Sequence, residues 1–198
     1  MNILKKKLIA VALAGAASAA QAVTIDFEDL PDGTVVDNAY FGIGAKFTGA
    51  EVLDSTGPSG NPVLFPPNSG NNYVFDYLDG TIRVDAVGFL WSLAGAYITG
   101  NTEVFLEAYD SGGNLLGSQS TGGPNFDPIG TPNIFLSVAA ANIAYVIFHD
   151  SGNTFTLDDF TFEGSTAPSP VPDAGSSSLL LASALGALGL LRRKLILS

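Results

Sequence analysis

The sequence predicts an all-β chain: an antiparallel β-sandwich of jelly-roll-like form, flanked by an N-terminal signal helix and a C-terminal hydrophobic helix. Three observations predict it. Most of the chain's 23 glycines and 11 prolines lie in its middle, recurring roughly every eight to twelve residues. Short runs of alternating apolar and polar residues lie between them, the pattern of half-buried strands. Between the two ends no long helical period competes.

The first element is the signal. Met1 to Lys7 place three lysines ahead of the uncharged stretch Leu8–Ala20, and Ala20-Gln21-Ala22 is a small-x-small cleavage site. The apolar run is alanine-rich and too short to span ~30 Å of hydrocarbon. Residues 1–22 therefore read as a signal peptide cut by signal peptidase after Ala22, and 23–164 as the β-sandwich domain.

Nine strands are expected in that domain: Thr24–Glu28, Ala45–Leu53, Tyr73–Tyr77, Thr81–Trp91, Glu103–Tyr109, Leu115–Ser120, Ile134–Val138, Ile143–His149 and Thr154–Phe162. Val104–Tyr109 and Leu115–Gly117 form a hairpin about Asp110-Ser111-Gly112-Gly113-Asn114, whose glycines supply positive φ. The loop has acidic and glycine residues but lacks the spaced acidic ladder and distal Glu of a calcium loop, so it reads as a plain turn. Asn61–Asn72 carries Pro62, Pro66 and Pro67 and cannot be a central strand. It is a long surface loop, either a binding loop or a cover over a sheet edge. Pro31-Asp32-Gly33 is a turn.

After the domain, 165–178 is a Pro/Ser/Gly/Ala linker, and 179–198 holds the apolar run Leu179–Leu191 followed by Arg192-Arg193-Lys194. Leu179, Leu180, Leu181, Leu185, Leu188, Leu190 and Leu191 cover the whole helix circumference, so the segment is not an amphipathic core helix. With Ala174–Ser178 it is just long enough to cross a bilayer, the basic cluster remaining cytoplasmic as a stop and the domain outside.

A short motif, an apolar helix and a basic terminus together resemble the PEP-CTERM class of bacterial sorting tails. Val171-Pro172-Asp173-Ala174-Gly175 is similar to its VPDSG variant, with Ala174 where that pattern has serine. The resemblance implies processing by an exosortase-type enzyme in the membrane and delivery to the cell surface or extracellular matrix, with transient anchoring by the tail.

Charge narrows the partners. Within 23–164 eighteen Asp and Glu face only Lys46 and Arg83, a net charge of about −16. Nucleic acid and anionic membrane surfaces are poor partners; divalent cations and neutral extracellular polysaccharide are better ones. The chain has no cysteine, so no disulfide supports the exported fold.

The acids at the two ends of the domain are the candidate metal site. In Asp26-Phe27-Glu28, Ile25 and Phe27 point one way and Asp26 and Glu28 the other. In Phe155-Thr156-Leu157 the odd residues are apolar, whereas in Phe160-Thr161-Phe162 the even ones are. The phase slips at Asp158-Asp159, the mark of a bulge. The Phe-Glu start and Leu-Asp-Asp-Phe-Thr-Phe finish resemble jelly-roll carbohydrate-binding modules, which implies a structural Ca2+ on Glu28 and Asp158, with Asp26 and Asp159 as further ligands. The competing reading is solvated acidic strand ends.

Glycan recognition calls for exposed rings. Tyr97 and Tyr109 adjoin loops and are the stacking candidates, whereas Trp91 reads as core. His149, the lone histidine, closes an apolar strand without a nucleophile motif. The expectation is an exported, non-enzymatic surface protein. A lectin-like exopolysaccharide-binding module is the alternative, followed by a glycoside hydrolase using a pair of acids.

Overall fold

The computed structural model describes residues 21–58, 60–78, 80–152 and 154–164. The signal segment through residue 20, the motif Val171–Gly175 and the hydrophobic tail with Arg192, Arg193 and Lys194 lie outside these residues. Among the described residues no helix is long and apolar enough to cross a membrane.

The described residues form eleven strands: β1 Ala22–Ile25, β2 Ala45–Thr48, β3 Ala50–Asp54, β4 Asn72–Asp76, β5 Thr81–Ala86, β6 Trp91–Gly100, β7 Phe105–Tyr109, β8 Leu115–Ser120, β9 Ile134–Ile143, β10 Tyr145–His149 and β11 Phe155–Gly164. One sheet has the order β3-β4-β11-β6-β9 with β1 also on β11, and the second has the order β2-β5-β10-β7-β8. Every pairing is antiparallel. The predicted sandwich is present.

Two predicted strands are each two strands. Ala45–Leu53 breaks at Gly49, whose φ of +85° turns the chain from one sheet to the other. A Cβ there would lie 2.3 Å from the Thr81 carbonyl oxygen, so the corner admits only glycine. Thr81–Trp91 ends at Ala86, and Trp91 opens β6, a central strand whose residues 92–100 the alternation pattern does not predict. Its glycines look like turn punctuation, but Gly95 sits inside the strand because a Cβ would lie 2.5 Å from the Leu136 carbonyl oxygen of β9. The glycine permits a close backbone approach rather than ending a strand.

The two inner faces meet in an aromatic core. Phe27 packs edge-on against Phe47 with ring centroids 5.6 Å apart, Phe47 against Phe160 at 5.4 Å, and Trp91 against Phe162 at 4.9 Å. All five are fully buried, and each such side chain contributes on the order of 2 kcal/mol. Trp91 is core, as its alternation predicts.

The long β11 organises its sheet. Thr156 and Leu157 pair with β4, and Phe160–Glu163 pair with β1. Between them Asp159 has φ +48° and the register with β6 shifts. The expected bulge therefore exists, and it hands β11 from one neighbour to the other.

Candidate functional site

Three regions compete for function: the predicted acidic corner, the outer face of the five-stranded sheet, and a cavity on the outer face of the six-stranded sheet.

At the corner, Glu28 and Asp158 grip the end of the Asn61–Asn72 loop. Glu28 Oε1 accepts the backbone N–H of Asn71 (2.8 Å) and Asn72 (2.6 Å). Asp158 Oδ2 accepts those of Asn68 (2.6 Å) and Ser69 (3.0 Å), and its Oδ1 accepts the Asp159 N–H (2.7 Å). Asp159 accepts from the Asn68 amide (2.7 Å) and the Ser69 hydroxyl (2.8 Å). Asp26 is exposed and accepts only the Glu28 N–H, at 3.3 Å. Burial pushes the Asp158 carboxyl up to about 7, against the pull of the Ser69 N–H and with the nearby Asp159 charge raising it further. Carboxylates that accept N–H groups clamp a loop. Calcium prefers a shell of oxygens alone, and it would have to displace these donors. Among the described residues no three His, Asp or Glu are grouped to hold a metal.

The hairpin loop is the plain turn expected. Asp110 accepts the N–H groups of Gly112 and Asn114 and the Asn114 amide, and these hold its carboxyl below the usual range.

The outer face of the five-stranded sheet is built by strict alternation on β5, β7 and β10. Ile82, Val84, Leu106, Ala108, Val146 and Phe148 point inward, so Arg83, Asp85, Phe105, Glu107, Tyr109, Tyr145, Ile147 and His149 point outward. The register sets them in rows. Lys46, Asp85, Tyr145 and Tyr109 form one; Thr48, Arg83, Ile147 and Glu107 the next; Thr81, His149 and Phe105 the third. Tyr109 and Tyr145 stack at 4.9 Å with 12° between planes. The Arg83 guanidinium lies 3.7 Å from the Tyr145 ring centroid and donates to Asp85 at 2.6 Å. The Tyr109 hydroxyl donates to Glu107. His149 stacks on Phe105 at 5.3 Å, with Nε2 3.7 Å from Glu107. The face thus offers donors, acceptors and aromatic rings side by side.

Of the two predicted stacking residues, Tyr109 lies in this face, with one side of its ring taken by Tyr145. Tyr97 lies on the other sheet, its ring 5.0 Å from that of Phe135. Sequence reasoning missed Tyr145, Arg83, Asp85 and Glu107 as a group. The signal was present in the alternating triplets Arg83-x-Asp85, Glu107-x-Tyr109 and Tyr145-x-Ile147, but only the register brings them together.

On the other sheet, the 61–70 and 121–133 loops close over β3, β4 and β11. Phe65 and Phe126 stack at 6.2 Å with 17° between planes, the Asp127 N–H meets the Leu64 carbonyl, and the Asn133 amide donates to the Pro67 carbonyl at 3.2 Å. They leave a cavity of about 360 Å³ lined mainly by Leu53, Leu64, Phe65, Tyr73, Phe75 and Phe126, with Asp76 among its polar walls.

Comparison with known proteins identifies the tail. Residues 170–195 match the family described as the VPDSG-CTERM motif, and a tail of this kind marks an exported, surface-sorted protein. No curated protein matches the chain. Among solved structures the chain is similar to a DUF4465 family protein from Bacteroides caccae, with 15% identity, a TM-score of 0.47, and coverage of 73% of this chain and 100% of that one. It is also similar to a variant of a family 29 carbohydrate-binding module, at 9% identity and a TM-score of 0.40, covering 73% and 91%. A family 6 carbohydrate-binding module follows at 16% identity and a TM-score of 0.31, covering 59% and 95%.

Proposed function

We propose that the chain is an exported binding protein, processed at its tail by an exosortase-type enzyme, whose five-stranded sheet holds a neutral extracellular polysaccharide. The observation that carries this reading is the outward row of Asp85, Tyr145 and Tyr109 beside Arg83 and Glu107. Sugar hydroxyls donate and accept at once, and they suit a surface where cationic donors, carboxylate acceptors and ring edges alternate over a few ångströms. A net charge of about −16 over 23–164 disfavours polyanions.

Affinity electrophoresis against soluble neutral glucan, mannan and xylan, with alginate as the anionic control, tests this. Retardation by at least one neutral polymer is expected, weakened about tenfold or more by Tyr145→Ala and by Arg83→Ala at unchanged melting temperature. Binding to none of them, or binding indifferent to both substitutions, would overturn the reading.

A further inference from the structure

We infer that the cavity beneath the 61–70 and 121–133 loops is a binding site for a neutral compound of about two fused apolar rings bearing one uncharged polar group. The loops are pinned so that they stand off the sheet. Asn68 and Ser69 are held by Asp158 and Asp159. In the other loop the buried Asn125 accepts the Gly100 N–H and donates to the Ile98 carbonyl, both at 2.7 Å. The Phe65–Phe126 stack and the bond from Asn133 to Pro67 join the two loops. The space of about 360 Å³ between loops and sheet is thus formed before any ligand arrives.

The floor follows from the strand period. Val52 and Val74 are core, so Leu53, Tyr73 and Phe75 beside them point to the outer face, into this space. With Leu64, Phe65 and Phe126 from the loops they make an apolar wall that, Tyr73 apart, is only partly buried. A resident water needs about two to four polar partners, which such a wall does not supply, so an apolar body gains by displacing it. Benzene fills an apolar cavity of about 150 Å³, and this one holds roughly twice that. Neither sign of charge is met inside. Among the described residues no Lys, Arg or His lines the space, and the net charge of about −16 over 23–164 repels anions. Asp76, the one acid among the lining residues, is set by the register on the core face of β4 with Val74, so no carboxylate is presented to a cation. The polar group of the ligand has its partner at one side, where the Tyr73 hydroxyl accepts the Asn61 N–H at 3.1 Å and keeps its own proton for a ligand oxygen. The site lies on a different sheet from the polysaccharide face, and the two proposals stand or fall separately.

Calorimetric titration of the full chain at neutral pH with 2-naphthol, and with naphthalene-2-carboxylate and naphthalene-2-methylamine as its charged counterparts, decides the matter. Saturable naphthol binding is expected, with both charged compounds about tenfold weaker or more. Leu64→Trp, which fills the space with a side chain, should weaken naphthol by about tenfold or more, and Phe126→Ala, which removes a wall, should weaken it by about tenfold. No saturable naphthol binding, a charged compound bound as tightly, or binding that survives Leu64→Trp and so resides elsewhere, such as on the hydrophobic tail, would each overturn the assignment. Should Leu64→Trp not fold, the ranking of the three compounds and the Phe126→Ala result still decide it.

Discussion

At the residue scale, the acids flanking the domain act as hydrogen-bond acceptors. Glu28 and Asp158 each hold two N–H groups of one loop end on a single oxygen. Removing either acceptor takes away two charge-assisted hydrogen bonds at part-buried or exposed donors, at about 1 kcal/mol or more. Glu28→Ala and Asp158→Ala should therefore lower the melting temperature by several degrees and open the 61–72 loop to limited proteolysis. Because the donors are N–H groups, melting in calcium and in EGTA should coincide. A calcium-dependent rise that Glu28→Ala abolishes would instead establish the metal site that the resemblance implies. The bulge at Asp159 was legible from the phase slip, whereas Glu28 was singled out only by the resemblance. The partners were not legible, since Asn68 and Ser69 lie about ninety residues from Asp158 and Asp159, and Asn71 and Asn72 lie 43 and 44 residues from Glu28.

At the element scale, the central strand β6 was the hardest to read. Trp-Ser-Leu-Ala-Gly-Ala-Tyr-Ile-Thr-Gly contains two glycines and little alternation, so local propensity argues against a strand. It forms because β11 and β9 flank it along nearly its whole length and because Gly95 lets β9 approach. Gly95→Val should therefore drive a side chain into the Leu136 carbonyl and cost about 3 kcal/mol or more, measured by urea unfolding. A cost below about 0.5 kcal/mol would show that the two strands are not held at this separation. Strands with strict alternation, such as β5, β7 and β10, were legible because one face of each packs on the core and the other meets solvent.

At the scale of the whole sandwich, the two sheets differ: the 61–70 and 121–133 loops cover part of the outer face of the six-stranded sheet, and among the described residues Arg83, Glu107, Tyr109 and Tyr145 line the outer face of the other. Charge acts on both. Burial pushes the Asp76 carboxyl up from 3.8 to about 7, with Asp150 adding to the rise and the Phe155 N–H opposing it. The folded state then binds the proton more tightly than the unfolded chain, so this contribution is complete below about pH 4 and is lost as pH rises toward 7. Asp158, pushed up to about 7 in the same way, adds to it, so stability should fall over that window by up to about 1.4 kcal/mol per pH unit for each of the two groups, in the same direction as the growing self-repulsion of an acidic domain. Asp76→Asn should make the curve shallower in urea unfolding at stepped pH, the remaining slope belonging to Asp158. A wild-type curve that rises from pH 4 to 7 would contradict the assignment.

The sequence by itself determined the sorting tail, the acidic surface, the all-β class and the location of the bulge. Each of these is a property of neighbouring residues: a motif, a charge balance, or a two-residue period and its slip. The tertiary structure alone decided which strands pair, that Gly49 is a corner and Gly95 a contact, that Arg83, Glu107 and Tyr145 share one face, and that Asp76 is buried with one carboxylate oxygen unpaired. These depend on register between segments far apart in the chain, and register is set by packing two sheets against one core, which no local pattern encodes.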